Sequence, residues 1–220
     1  MILRIHNIMF IIFKRSGMSI HELFDTLFNY KQVFPTLQDS NSVESLKTYL
    51  IPLITTTFYP KRQLLLSAGQ VAGYIHFLEQ GLARGFYISE GTGKEITDFL
   101  WNEHSLITVP DSFFSQRPSH LFIEVMPDSR LMSISYQGLM SCIEKYPLAE
   151  VFSRNLVLQY NIYKTRRNHD LAFLSPWELY VRLLHKHPNI EQQVSKGIIA
   201  SYLNITPQSL SRMLKRRGHP

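Results

Sequence analysis

The stretch VSKGIIASYLNITPQSLSRMLKRRGHP, residues 194–220, decides the architecture of this chain. Ser195 can N-cap a helix carrying Ile198, Ile199, Ala200 and Leu203. Asn204-Ile205 supplies a tight turn, and Thr206 caps a second helix with Pro207 in its first turn. Ala200 is small where the two helices would cross, and Asn204 tolerates a left-handed backbone. Ile199, Leu203, Ile205, Leu210 and Met213 then form one buried stripe. This is the grammar of a helix-turn-helix. Outside that core stand Thr206, Gln208, Ser209, Ser211, Arg212, Lys215 and Arg216, with Ser195 and Lys196 at the start of the first helix. Gln can pair bidentately with adenine and Arg with guanine in a major groove, while Ser, Thr and Lys suit phosphates or either base edge. An amphipathic hairpin with a basic outer face would account for the charge, but not for the matching caps and turn.

Charge over the whole chain points the same way. The 220 residues carry a formal net charge of +6. Residues 1–150 hold 12 Lys/Arg against 14 Asp/Glu, whereas residues 151–220 hold 11 against 3. Such asymmetry suits a polyanion, because clustered cations gain free energy by releasing the counterions condensed on nucleic acid. With 45% apolar and 18% charged residues the composition is that of a folded globular chain. The one cysteine, Cys142, excludes an intramolecular disulfide and any site built on several thiolates, and a reducing cytoplasm fits best.

Upstream of the basic segment the periodicity changes twice. Residues 42–53 read as a helix closed by Pro52 and a threonine run, after shorter helical spacing at Leu23, Leu27 and Phe28. From Phe58 to Ser135, apolar runs at 74–78, 82–88, 96–101, 121–126 and 131–134 alternate with turn signals such as Glu79-Gln80-Gly81 and Glu90-Gly91-Thr92-Gly93, which predicts an antiparallel roll or sandwich. Pro147 then opens a long helix to about Phe173. Its apolar residues, Leu148, Val151, Phe152, Leu156, Leu158, Ile162 and Tyr163, spread over more than one face, so it should bury one side on its own domain and the other on a partner helix. Ser175-Pro176-Trp177-Glu178 is a capping box that starts the next helix.

An α+β order of roll, long helix and helix-turn-helix resembles the Crp/Fnr family of bacterial transcription regulators from about residue 30 onward. YIHFLEQGLARGFYI, residues 74–88, is similar to the hairpin of that family's cyclic-nucleotide-binding-type jelly roll, with Gly81 at the turn and Arg84 beyond it. IIASYLNITPQSLSRMLK, residues 198–215, is similar to its recognition unit, with Asn204 for the usual Gly and Gln208 for the usual base-reading Glu. The resemblance implies an effector domain over residues 18–145, a dimerisation helix over 146–173 and a DNA-binding domain over 174–220. It also implies a homodimer on a two-fold symmetric site in double-stranded DNA, with RNA polymerase as a further partner. Phe152, Leu156 and Tyr163 are expected at the dimer interface. The sequence stops three residues after Arg217, so a reduced or absent wing is expected.

The sensory pocket departs from the family pattern. A cyclic-nucleotide site needs a Glu on the ribose and an Arg on the phosphate; the corresponding places hold Thr108 and Ser119. Arg117 could restore an arginine by a two-residue shift, but Glu124 would set a carboxylate near the phosphate. Arg84, Thr108, Arg117, Ser119 and Glu124 are thus the candidate lining of a pocket for an unknown small effector, and no cyclic nucleotide or other cofactor is expected.

Catalytic and metal-binding residues are not expected. The nine histidines are scattered, the Gly91-Thr92-Gly93-Lys94 turn lacks full phosphate-loop spacing, and no nucleophile–base grouping occurs at informative spacing. The apolar run at residues 8–13 is far shorter than the ~20 residues of a membrane span. Met18 reads as an equally good start, so residues 1–17 are expected to be a mis-started or disordered extension. The alternative to a transcription regulator is a ligand-binding or protein-interaction module with a basic tail and no specific DNA site.

Overall fold

The computed structural model describes Leu23 and residues 40–218, so the expectations for residues 1–17 and for the segment before α1 lie outside the described residues. Helix α1, Ser40–Leu50, buries Leu46 and Leu50 and passes through a 3-10 turn at Ile51–Leu53, where Pro52 ends it. The β-branched run that follows is strand β1, Thr55–Tyr59. Next come β2 Gln63–Leu66, β3 Tyr74–Gln80, β4 Ala83–Ile88, β5 Glu95–Trp101 and β6 Leu106–Ile107. A short helix α2, Pro110–Ser115, precedes β7 Phe122–Val125 and β8 Ser129–Ser135. The strands form two four-stranded antiparallel sheets, ordered β1-β8-β3-β6 and β2-β7-β4-β5. The predicted roll is present.

The β3–β4 turn depends on Gly81. Its φ is +98°, and an added Cβ would lie 2.4 Å from Ser129 Oγ, so both conformation and space demand glycine. Between the sheets lies one apolar core that includes Leu78, Ala83, Phe99, Trp101, Ile107, Phe113, Ile123 and Val125. Phe99 and Trp101 stack at 4.9 Å in its middle. Two short helices of the roll escape the sequence pattern. One is α2; the other is α3, Tyr136–Lys145, whose cap Ser135 accepts from the Gly138 N–H. Glycine in a first turn weakens the local signal, and tertiary packing of Leu139 and Cys142 decides the helix instead.

A 3-10 turn at Pro147–Ala149 leads into α4, Glu150–Phe173. The C-terminal domain follows as α5 Pro176–Lys186, α6 Ile190–Gln193, α7 Lys196–Tyr202 and α8 Pro207–Arg216. The Ser175 capping box has both of its bonds: Ser175 Oγ accepts from Glu178 N–H, and the Glu178 carboxylate accepts from Ser175 N–H at 2.8 Å. The C-terminal core of Leu179, Tyr180, Leu183, Ile199, Leu203 and Leu210 continues onto Leu82, Leu100 and Met126 of the roll, joining the two parts.

One buried histidine, His187, and one half-buried, His76, make this fold acid-sensitive. Burial pushes the imidazoles of His76 and His187 down to about 4 from 6.5, and at His187 the Lys186 ammonium adds repulsion. Between these values the unfolded chain holds more protons than the folded one. Stability is therefore full above pH 6.5 and falls as pH drops toward 4, by up to about 1.4 kcal/mol per pH unit for each histidine. Urea midpoints measured across that window should show the fall, and a His76→Asn, His187→Asn double variant should flatten it.

Candidate nucleic-acid interface

The helix-turn-helix is built by its caps. Ser195 Oγ accepts from Ile198 N–H at 3.3 Å, and Thr206 Oγ1 accepts from Ser209 N–H at 3.1 Å. Between them Asn204 adopts φ +55°, while the Ile205 N–H reaches back to the Ala200 carbonyl at 3.0 Å. Ala200 is fully buried at the crossing. The buried stripe carries Ile199, Leu203 and Leu210 as expected, but Tyr202 and Leu214 also belong to it, and Met213 and Ile205 are only half-buried.

With that stripe turned inward, α8 presents Gln208, Ser211, Arg212, Lys215 and Arg216 to solvent, and Ser195, Lys196 and Thr206 are exposed beside it. Ser209 is half-buried; its hydroxyl accepts from Thr206 Oγ1 at 3.0 Å and lies 3.4 Å from an Arg212 nitrogen. No carboxylate occurs between Ser195 and Arg217, so the face is uniformly cationic and amide-bearing. Gln208 and Arg212, four apart on one helix, share a side of it.

The first helix of the pair is docked on the roll. Ser201 Oγ donates to the Glu95 carbonyl and accepts from the Thr97 N–H, each at 2.8 Å, capping the free edge of β5. Arg167 donates to the Tyr202 carbonyl and stacks on the Tyr202 ring at 3.8 Å. These contacts leave the outer face of α8 open. Neither Ser201 nor Arg167 was among the expected site residues, since only the fold brings α7 to β5.

The expected effector residues do not assemble into one pocket. Along β4, Ala83 faces the interior of the roll and an added Cβ at Gly85 would strike Trp101, so Arg84 points to the outer face. Along β7, Ile123 and Val125 point inward, so Glu124 shares that outer face. Arg84 Nη1 and Glu124 Oε1 pair there at 2.9 Å. The carboxylate expected beside a phosphate is therefore outside the roll, a correction that strand alternation alone explains. Arg117 is exposed, and its carbonyl accepts from Ser112 Oγ. Ser119 Oγ closes a local turn onto Leu121, and Thr108 Oγ1 donates to the Tyr74 carbonyl at 3.1 Å.

The dimer residues need a second correction. Phe152 packs with Leu46 and Leu50, and Leu156 belongs to the core of the roll. Tyr163 stacks on Phe99 at 4.7 Å, with its hydroxyl donating to the Asp98 carbonyl. All three serve their own chain, because α1 and the aromatic centre of the roll claim that side of α4. The apolar side chains that α4 leaves exposed are Val157, Leu158 and Phe173, at 37%, 41% and 75%.

Among the described residues no three His, Cys, Asp or Glu side chains come together as a metal site, and no helix is long and apolar enough to cross a membrane. No family model and no curated protein sequence matches the chain. Solved structures do. The class they define is a jelly-roll domain joined by a long helix to a helix-turn-helix. CLP of Xanthomonas campestris, a c-di-GMP-responsive global regulator linking cell–cell signalling to virulence gene expression, aligns with TM-score 0.63 and 17% identity over 82% of this chain and 92% of its own. FixK2 of Bradyrhizobium japonicum gives 0.62 and 14% over 75% and 86%. A regulator from Eubacterium rectale assigned to the Crp/Fnr family gives 0.64 and 17% over 83% and 86%. The chain shares the fold of these structures.

Proposed function

We propose that the chain is a sequence-specific, DNA-binding transcription regulator that acts as a homodimer in the cytoplasm and is not an enzyme. The observation that carries this reading is the outer face of α8. The Thr206 cap and a buried stripe seat the helix against α7, and its exposed side carries Gln208, Arg212, Lys215 and Arg216 without one opposing carboxylate. A helix of that chemistry suits a major groove, Gln208 and Arg212 reading base edges and Lys196 and Lys215 holding phosphates. Similarity of fold to CLP, a regulator of gene expression, supports the same reading.

For the two-fold partner, the solvent side of α4 replaces the side first expected. Val157 and Leu158 offer apolar surface there, where Phe152 and Leu156 do not. Leu158→Lys should therefore give a folded monomer by sedimentation. Its affinity for a duplex with two half-sites should fall sharply, while affinity for a single half-site stays near that of the wild type. A variant that remains a dimer would move the interface away from α4.

Cyclic-nucleotide binding by the family's chemistry is not part of this proposal. Arg84 is turned outward and held by Glu124 and Glu95, and Arg117 is exposed, so neither supplies a phosphate ligand inside the roll. Phe99 and Trp101 occupy its centre.

A further inference from the structure

Between the roll, α4 and α5 lies a cavity of ≈ 600 Å³, a volume that suits a small organic ligand. Its walls combine two chemistries. Phe99, Trp101 and Tyr160 give it an aromatic side, and Arg166, Arg167, Arg182 and Lys186 gather on the other. The carboxylate that lines the cavity with them is Asp170, and Arg182 already engages it. Arg166 has no ion-pair partner among the described residues.

Two polar atoms in the same lining have no hydrogen-bond partner, Asn155 Oδ1 and Arg167 Nε. Asn155 is 3% exposed and Arg167 5%, so bulk water does not satisfy them. A buried polar group left unpaired costs stability, and a gathered set of like charges costs more. Consistent with that crowding, burial and then the nearby Arg166 and Arg167 lower the Lys186 pKa. A fold that tolerates both costs at one cavity is built to have them offset by something that enters it.

We propose that this cavity is a binding site for an aromatic organic anion, its ring against Trp101 and Tyr160 and its acidic group among Arg166, Arg167 and Lys186. The site lies apart from the outer face of α8 and stands whether or not that helix reads DNA. It also lies apart from the Arg84–Glu124 pair, which occupies the outside of the sheet.

Calorimetry on the full chain tests it, with 2-naphthoate as the probe, 2-naphthamide as its uncharged counterpart and inorganic phosphate as the anion without a ring. Binding of 2-naphthoate at millimolar concentration or below is expected, with the amide and phosphate each much weaker. Arg166→Gln, at an exposed position where folding is not at risk, should weaken it roughly tenfold or more. Asn155→Leu should raise the melting temperature of the free protein and yet weaken binding. With 5-fluorotryptophan incorporated, the Trp101 fluorine resonance should move on titration while that of Trp177 stays. The proposal is overturned if 2-naphthoate does not bind, if the amide binds equally well, if Arg166→Gln leaves the affinity unchanged, or if the Trp101 resonance responds to protein concentration alone, which would mark a second copy as the occupant.

Discussion

Replacing Glu124 with alanine should lower the free energy of unfolding by about 3–5 kcal/mol, because it strands a buried guanidinium. Arg84 is 1% exposed and is held at 2.9 Å by Glu124, at 2.6 Å by Glu95 and at 2.9 Å by Thr97. Glu95 is half in solvent and is the weaker counter-charge; Glu124 is buried and also takes two bonds from Arg62, at 2.8 and 2.9 Å. Removing it leaves two arginines facing one another with no buried carboxylate between them and Thr97 Oγ1 as the buried acceptor left to Arg84. An Arg84→Met, Glu124→Leu double variant should recover most of the loss, since a well-packed apolar pair is often as stable as the ion pair it replaces. Urea denaturation of the two variants and the wild type measures both quantities. A Glu124→Ala loss under about 1 kcal/mol would mean that water reaches Arg84. The network also reaches the helix-turn-helix, for Glu95 and Thr97 are the residues on which Ser201 docks α7.

The C-terminal pair of helices was readable from the sequence because its determinants are local. Ser195, Asn204 and Thr206 act within three residues of themselves, and no distant contact overrides them. Strand faces were half-readable. Leu121, Ile123 and Val125 alternate with Phe122, Glu124 and Met126, a pattern that by itself turns Glu124 away from the core of the roll and away from the pocket position that the family resemblance implies. The threonine run at residues 55–57, which reads as closing the helix, instead begins β1 after Pro52 has ended α1, because β-branched residues are poor in helices and good in strands. Which face of α4 stays exposed was not readable. Apolar residues occur all round the helix, and the choice among them depends on α1 and on the Phe99–Tyr163 stack, contacts from elements far away in the chain.

If α8 reads sequence, salt dependence and base preference should respond to different residues. Wild-type affinity for a selected site should fall about 10³–10⁵-fold between about 50 and 200 mM salt, as expected for a dimer touching some 6–10 phosphates. That fall establishes a polyanion partner but not a reader of bases. Gln208 and Arg212 are exposed on one side of α8, whereas Lys215 extends from its last turn, so the two kinds of contact separate by mutation. Losing Gln208 or Arg212 should remove preference at one base pair per half-site, about 1–3 kcal/mol each. Losing Lys215 should weaken every sequence alike and lower the salt slope by about one unit per half-site. The direct measurement is selection from random duplex DNA with the wild type, Gln208→Ala and Lys215→Ala in parallel. A two-fold symmetric consensus is expected for the wild type, the same consensus for Lys215→Ala, and a consensus relaxed at one symmetric pair of positions for Gln208→Ala. If all three return the same consensus, or none returns any, α8 is not the reading helix.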